Sequence, residues 1–119
     1  MFDRADPTRL FDMTDRVTIV TGGAGLLGQE YAFALAKSGA HVVIADINGS
    51  AAHKLAAEVT AESGIPAVGL ETDVSSKQSV NDMVEQALAS FGRVDGLVNN
   101  AAIDPKLGTD LVEQHTSTF

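Results

Sequence analysis

Gly22, Gly23, Gly25 and Gly28 crowd into a span of seven residues between a β-branched run, Val17-Thr18-Ile19-Val20-Thr21, and apolar residues at helical spacing, Leu27, Tyr31, Ala34 and Leu35. Strand, glycine turn and helix is the local unit that this pattern supports, with the helix ending at Ser38-Gly39. The alternation then continues. His41-Val42-Val43-Ile44-Ala45 reads as a second apolar strand ending at Asp46, and Asn48-Gly49-Ser50 supplies turn and cap residues for a helix carrying Ala52, Leu55, Ala56 and Val59 on one face, closed by Gly64. Pro66-Ala67-Val68-Gly69-Leu70 reads as a weaker third strand, with Pro66 as its first residue. Ser75-Ser76-Lys77-Gln78 offers a capping box ahead of a continuous helical stripe, Val80, Met83, Val84, Ala87, Leu88 and Phe91. Val94 and Gly96-Leu97-Val98 form a fourth strand, followed by Asn99-Asn100-Ala101-Ala102 and a polar tail to Phe119.

Strands alternating with helices predict an α/β fold: a Rossmann-type, doubly wound parallel sheet of order 3-2-1-4 with helices on both faces. Residues 1–15 read as a surface lead-in with one short turn around Leu10-Phe11, and residues 16–119 as the folded unit. The 119 residues suffice for one domain. A formal charge of −8, with basic residues scattered from Arg4 to Lys106, argues against a nucleic-acid partner. The absence of cysteine removes disulfides, thiolate zinc sites and thiol catalysis, and is compatible with a cytoplasmic setting. Charged residues through Asp15 exclude a signal-peptide apolar region there, and no apolar run approaches membrane-spanning length.

Gly23-x-Gly25-x-x-Gly28 satisfies the dinucleotide fingerprint in its required context, between a strand and a helix. Small residues let a pyrophosphate approach the backbone, and the helix N-terminus offers unpaired N–H groups and partial positive charge. The competing reading is a tight turn whose glycines serve only helix–strand packing. Asp46, eighteen residues beyond Gly28 at the end of the second strand, suits a carboxylate that accepts hydrogen bonds from both adenosine ribose hydroxyls, although a turn aspartate would also stand there. A 2′-phosphate about 4 Å from that carboxylate meets repulsion on the order of 4 kcal/mol at a surface-like dielectric. Neither the glycine turn nor Ile47-Asn48 carries a Lys or Arg to offset it, so NAD is expected in preference to NADP.

Four features in this order, Thr21-Gly22 to Gly28, Asp46, Asp73-Val74 and Asn99-Asn100-Ala101-Ala102, resemble the short-chain dehydrogenase/reductase family, as does Gly92-Arg93-Val94-Asp95-Gly96-Leu97-Val98. The resemblance implies that Gly22, Gly25 and Leu27 line the pyrophosphate, Asp46 the ribose, Asp73 and Val74 the adenine, and Asn100 with Ala101 the inner ribose region; Leu26 and Ile47 belong to the same cofactor-binding set. Asp73 also suits a loop beside the cap at Ser75, and Asn99-Asn100 a turn. Two departures stand out. Leu26 occupies the usual place of a glycine, giving a spacing that resembles the extended, sugar-nucleotide-processing branch, whereas Val98-Asn99-Asn100-Ala101 resembles the short branch. Ala102 replaces the usual final glycine.

The family's catalytic Tyr, the Lys four residues beyond it, and the Ser are not identifiable. Tyr31 is the only tyrosine, is followed four residues later by Leu35, and reads as helix packing. His41, His53 and His115 read as solvated, and Glu58 with Glu62 as an exposed helix face; no metal site or catalytic residue is assigned. The expectation is the NAD-binding half of an oxidoreductase, cut before its catalytic half, whose full-length parent transfers hydride between NAD(H) and a small alcohol or carbonyl substrate and forms a homo-oligomer. A fourth strand left as an apolar edge points the same way. The alternatives are a non-catalytic NAD-binding module, an extended-branch epimerase or dehydratase fragment, and an S-adenosylmethionine-dependent methyltransferase. The last would not explain Asn99-Asn100.

Overall fold

A computed structural model describes residues 10–101. Within them four strands, β1 (Val17–Thr21), β2 (His41–Asp46), β3 (Val68–Glu71) and β4 (Gly96–Asn99), alternate with three helices, α1 (Leu26–Lys37), α2 (Gly49–Ser63) and α3 (Lys77–Phe91). All neighbouring strands are parallel, in the order β3-β2-β1-β4. The central strands alternate their apolar side chains between two layers. Val20, Val42 and Ile44 pack with Ala32 and Ala36 of α1 and Ala52, Leu55, Ala56 and Val59 of α2. Val17, Ile19, Val43 and Ala45 pack with Leu70 and with Met83 and Ala87 of α3. Burial on both faces explains why β1 and β2 read as continuous apolar runs, each fully buried Val or Ile contributing about 1.5–3 kcal/mol.

The helix α1 turns a different face to the sheet from the one its large apolar residues suggest. Gly28, Ala32 and Ala36 are buried, while Leu27 and Tyr31 are exposed. A Cβ at Gly28 would lie 2.3 Å from the Gly22 carbonyl oxygen, so the helix approaches too closely for anything but small residues on its inner face. Tyr31 therefore lies outside the core, beside Leu10, Phe11, Met13, Leu35 and Val98.

Three further local differences have physical causes. The strand β3 begins at Val68, beyond Pro66, whose carbonyl instead accepts a hydrogen bond from His41 Nδ1 at 3.0 Å. His41 is consequently a partly buried packing residue, its ring stacked on Phe91 at 4.6 Å, rather than a solvated one. Gly69 lies inside β3, where a Cβ would stand 2.3 Å from the Ala52 carbonyl oxygen, so this glycine seats α2 against the sheet. The cap of α3 is Ser76, whose side chain accepts from Ser79 N–H at 3.2 Å; Ser75 donates to Asp73, and Gln78 to Asp82, so the Ser75–Gln78 capping box does not form. The cap of α2 is Asn48, accepting from Ala51 N–H.

Glu58 and Glu62 are exposed on α2, with Glu62 3.3 Å from Lys37. No helix among the described residues is long and apolar enough to cross a membrane. Ala102, the polar tail and His115 lie outside the described residues, as do the first nine residues of the lead-in.

Candidate functional site

Chain order reverses between β1 and β4, and the carboxyl ends of the parallel strands open there onto a cleft of about 540 Å³. Gly22, Gly25, Asp46, Ile47, Asp73, Val74, Asn100 and Ala101 line it, together with Thr72 and Ser75. Residues from four separated turns thus meet at one edge of the sheet. Leu26 and Leu27, also named from sequence, do not line it; their side chains are 88% and 62% exposed at the first turn of α1.

The glycine turn is held by backbone bonds to β2 and by a clasp to β4. Gly22 and Gly23 N–H donate to the Ala45 carbonyl at 2.8 and 3.3 Å. Gly22 has φ +64°, and a Cβ on it would meet Ala101 Cα at 2.9 Å, so the turn and the tip of β4 touch backbone to backbone. Across that contact Asn100 Nδ2 donates to the Gly22 carbonyl at 3.2 Å. The Thr21 hydroxyl accepts from Asn100 N–H at 3.1 Å and Ala101 N–H at 3.2 Å while lying 3.3 Å from the Val98 carbonyl, to which it donates. The sequence placed Thr21 at the end of the strand and the head of the glycine motif but gave it no role of its own; its position as the last β1 residue before the glycines was the available signal.

Gly25 differs from its neighbours. It caps α1 in an extended conformation, φ −76° and ψ 175°, with no side-chain cap, whereas the two other helices have one. A Cβ there would meet only the Gly22 carbonyl oxygen, at an ordinary 3.4 Å. Packing therefore accounts for Gly28 but not for Gly25. Among the described residues the first N–H groups of α1 have no side-chain acceptor, leaving partial positive charge at the cleft.

Asp46 stands opposite. One carboxylate oxygen accepts from Ala24 N–H at 3.1 Å, the other from Asn48 N–H at 2.9 Å. The turn-aspartate reading is thus true of Asp46, and each oxygen keeps a further lone pair for a hydroxyl donor. Asp73 accepts from the backbone and side chain of Ser75 through Oδ1, bonds that hold its carboxyl below the usual carboxylate range. Ser79 Oγ accepts from Asp73 N–H, tying this loop to α3. Among the described residues no Lys or Arg lines the cleft, so an anion entering it there would meet backbone N–H groups rather than cationic side chains. Ile47 and Val74 add apolar walls, 69% and 37% exposed. Among the described residues no group of three His, Asp or Glu is placed to hold a metal ion.

Comparison with known proteins adds to this geometry. The family model described as short chain dehydrogenase matches residues 16–118. The short chain dehydrogenase/reductase astE of Aspergillus oryzae is 40% identical over 107 residues, covering 88% of this chain and 41% of that protein. An uncharacterized oxidoreductase of Mycobacterium tuberculosis is 46% identical over 103 residues, covering 87% and 40% respectively. The crystal structure of an NAD+-bound xylitol dehydrogenase superposes with a TM-score of 0.72 at 34% identity, over 76% of this chain and 35% of that one. A short-chain type dehydrogenase/reductase from Mycobacterium marinum gives 0.77 at 27% identity, over 88% and 44%. The chain spans about two fifths of the length of these curated relatives.

Proposed function

The chain belongs to the short-chain dehydrogenase family, and from that premise we propose that its cleft holds the adenosine diphosphate portion of a nicotinamide dinucleotide, NAD in preference to NADP. One observation carries the reading: Gly22, Gly25, Asp46, Asp73, Val74 and Asn100 line a single cleft beside a helix N-terminus that no side chain caps. The first amides of α1, including those of Leu26 and Leu27, would receive the diphosphate, with the open face of Gly25 allowing its approach. Asp46 would accept from the ribose hydroxyls while continuing to hold Ala24 and Asn48. Ile47 and Val74 would flank the base, with Asp73 accepting from its exocyclic amino group through Oδ2. Asn100 and Ala101, fixed by Thr21, would border the inner ribose.

The chemistry supplied by such a cofactor is hydride transfer, and the proposed activity of the whole protein is oxidation or reduction at an alcohol or carbonyl carbon. The contribution of this chain is binding and orientation. Tyr31 is on the outer face of α1 beside Leu35, away from the cleft, which supports giving it a packing role and no part in proton transfer. The match to the short-chain family model supports the short over the extended branch, despite Leu26.

Titration of the chain with NADH and NADPH in a calorimeter tests the proposal. The expected result is NADH binding, NADPH binding weaker by about fivefold to several hundredfold as the effective dielectric falls from 80 to 20, and no alcohol oxidation. Asp46→Asn, which keeps one oxygen acceptor but removes the charge, should narrow the gap. A folded sample with no affinity for NADH, or with equal affinity for NADPH, would refute the assignment.

A further inference from the structure

Thr72 is the first residue beyond β3, held at the tip of β2 by its N–H donating to the Asp46 carbonyl at 2.8 Å. It lines the cleft, is only 2% exposed, and its Oγ1 is buried with no hydrogen-bond partner among the described residues. Buried hydroxyls in folded proteins nearly always have one. Thr18 shares the orphaned hydroxyl, but it stands on the central strand beside Gly96 and does not line the cleft.

The chemistry of the surrounding wall gives Thr72 its meaning. Asp46 and Asp73 are acceptors, and the Ser75 hydroxyl is committed to Asp73 at 2.6 Å. Asn100 has directed its amide to Gly22. A nucleotide base presents ring-nitrogen acceptors beside its donor amino group, and the two carboxylates of the wall satisfy only the donor. The Thr72 hydroxyl is a side-chain donor in that wall with no partner among the described residues, and a rotation of about 120° about its Cα–Cβ bond would carry it to the place its methyl group now holds.

We infer that Thr72 is a nucleotide-positioning residue, whose hydroxyl is unpaired in the free protein and donates to a ring nitrogen of the bound base. The inference rests on the dinucleotide reading of the cleft. It makes a prediction of opposite signs for folding and binding. Thr72→Val keeps the shape and removes a hydroxyl that has no partner in the free protein, so its urea midpoint should equal or exceed that of the unaltered chain. Its affinity for NADH and for AMP should fall by about tenfold. Thr72→Ser, which restores the donor, should bind both within about threefold of the original. Nicotinamide mononucleotide, which lacks the adenine base, should respond equally in all three proteins.

Unchanged NADH and AMP affinity in Thr72→Val would overturn the inference, as would an equal loss in Thr72→Ser. Binding of NADH by the unaltered chain with no effect of either variant refutes this residue's role alone. Absence of NADH binding by the unaltered chain refutes the reading of the cleft and this inference with it.

Discussion

Replacing Gly25 with alanine separates the two reasons a glycine can stand in the turn. Its backbone, φ −76° and ψ 175°, is open to any residue, and the added methyl meets only the Gly22 carbonyl oxygen at 3.4 Å. Restricting the unfolded chain favours alanine by about 0.4–1 kcal/mol. Loss of the glycine preference at a helix N-cap opposes it by a similar amount, so the net change in stability should stay within about 1 kcal/mol. Binding should respond differently. The methyl would occupy the side from which a diphosphate reaches the amides, and each charge-assisted hydrogen bond lost is worth about 1.5–3 kcal/mol, or roughly 10- to 150-fold in affinity. Gly28→Ala is the control, because its Cβ would lie 2.3 Å from the Gly22 oxygen and 2.6 Å from Gly23 Cα. Such overpacking costs about 1–3 kcal/mol. Urea denaturation followed by circular dichroism, run beside NADH calorimetry, should show stability and affinity falling together in Gly28→Ala and affinity alone in Gly25→Ala. The reasoning fails if Gly25→Ala is destabilised as much as Gly28→Ala, or if it binds NADH as tightly as the original chain.

Gly69→Ala should destabilise the fold by about 1–3 kcal/mol without being part of the cleft, since its methyl would push α2 from β3 at the Ala52 carbonyl; the urea midpoint measures this. Asp95 ties the start of β4 to β1 through Val17 N–H at 2.8 Å, and hydrogen bonding from Arg93, then from Val17, holds its carboxyl below the usual carboxylate value of 3.8. A lowered folded value means that this contribution is complete above the unfolded value and is lost as pH falls through the folded one. Stability in the range below pH 3.8 should therefore decline less steeply in Asp95→Asn than in the original, and identical acid-unfolding profiles would refute the link.

The sheet order was legible because each strand of the pattern had its own cause: β-branched residues in β1 and β2, and a connecting helix between every pair. The cleft was largely legible for a related reason. Turns after parallel strands converge at one edge, so Gly22, Asp46, Asp73 and Asn100, far apart in the chain, meet there once the order is known. The face of α1 was not legible. Counting apolar bulk selects Leu27, Tyr31 and Leu35, of which only Leu35 packs, half-buried, against the core, whereas closeness to the sheet selects Gly28, Ala32 and Ala36, and a distance of approach leaves little trace in hydropathy. Thr72 went unassigned, and Ser75 was assigned only as a helix cap, because small hydroxyl residues beside a turn serve many ends. The start of β3 was missed for want of a signal stronger than Pro66, and the choice of Ser76 over Ser75 as cap depended on Asp73 claiming the latter.

The double duty proposed for Asp46 bears on any redesign of coenzyme choice. Admitting a phosphorylated sugar would seem to need only a small neutral side chain at that position. Yet the same exchange strips Ala24 and Asn48 of their anchor, and a loop so loosened presents its amides in many orientations instead of one. A lineage, or an engineer, replacing Asp46 to change the proposed preference must therefore refasten the loop elsewhere before a newly placed cation can yield its full benefit.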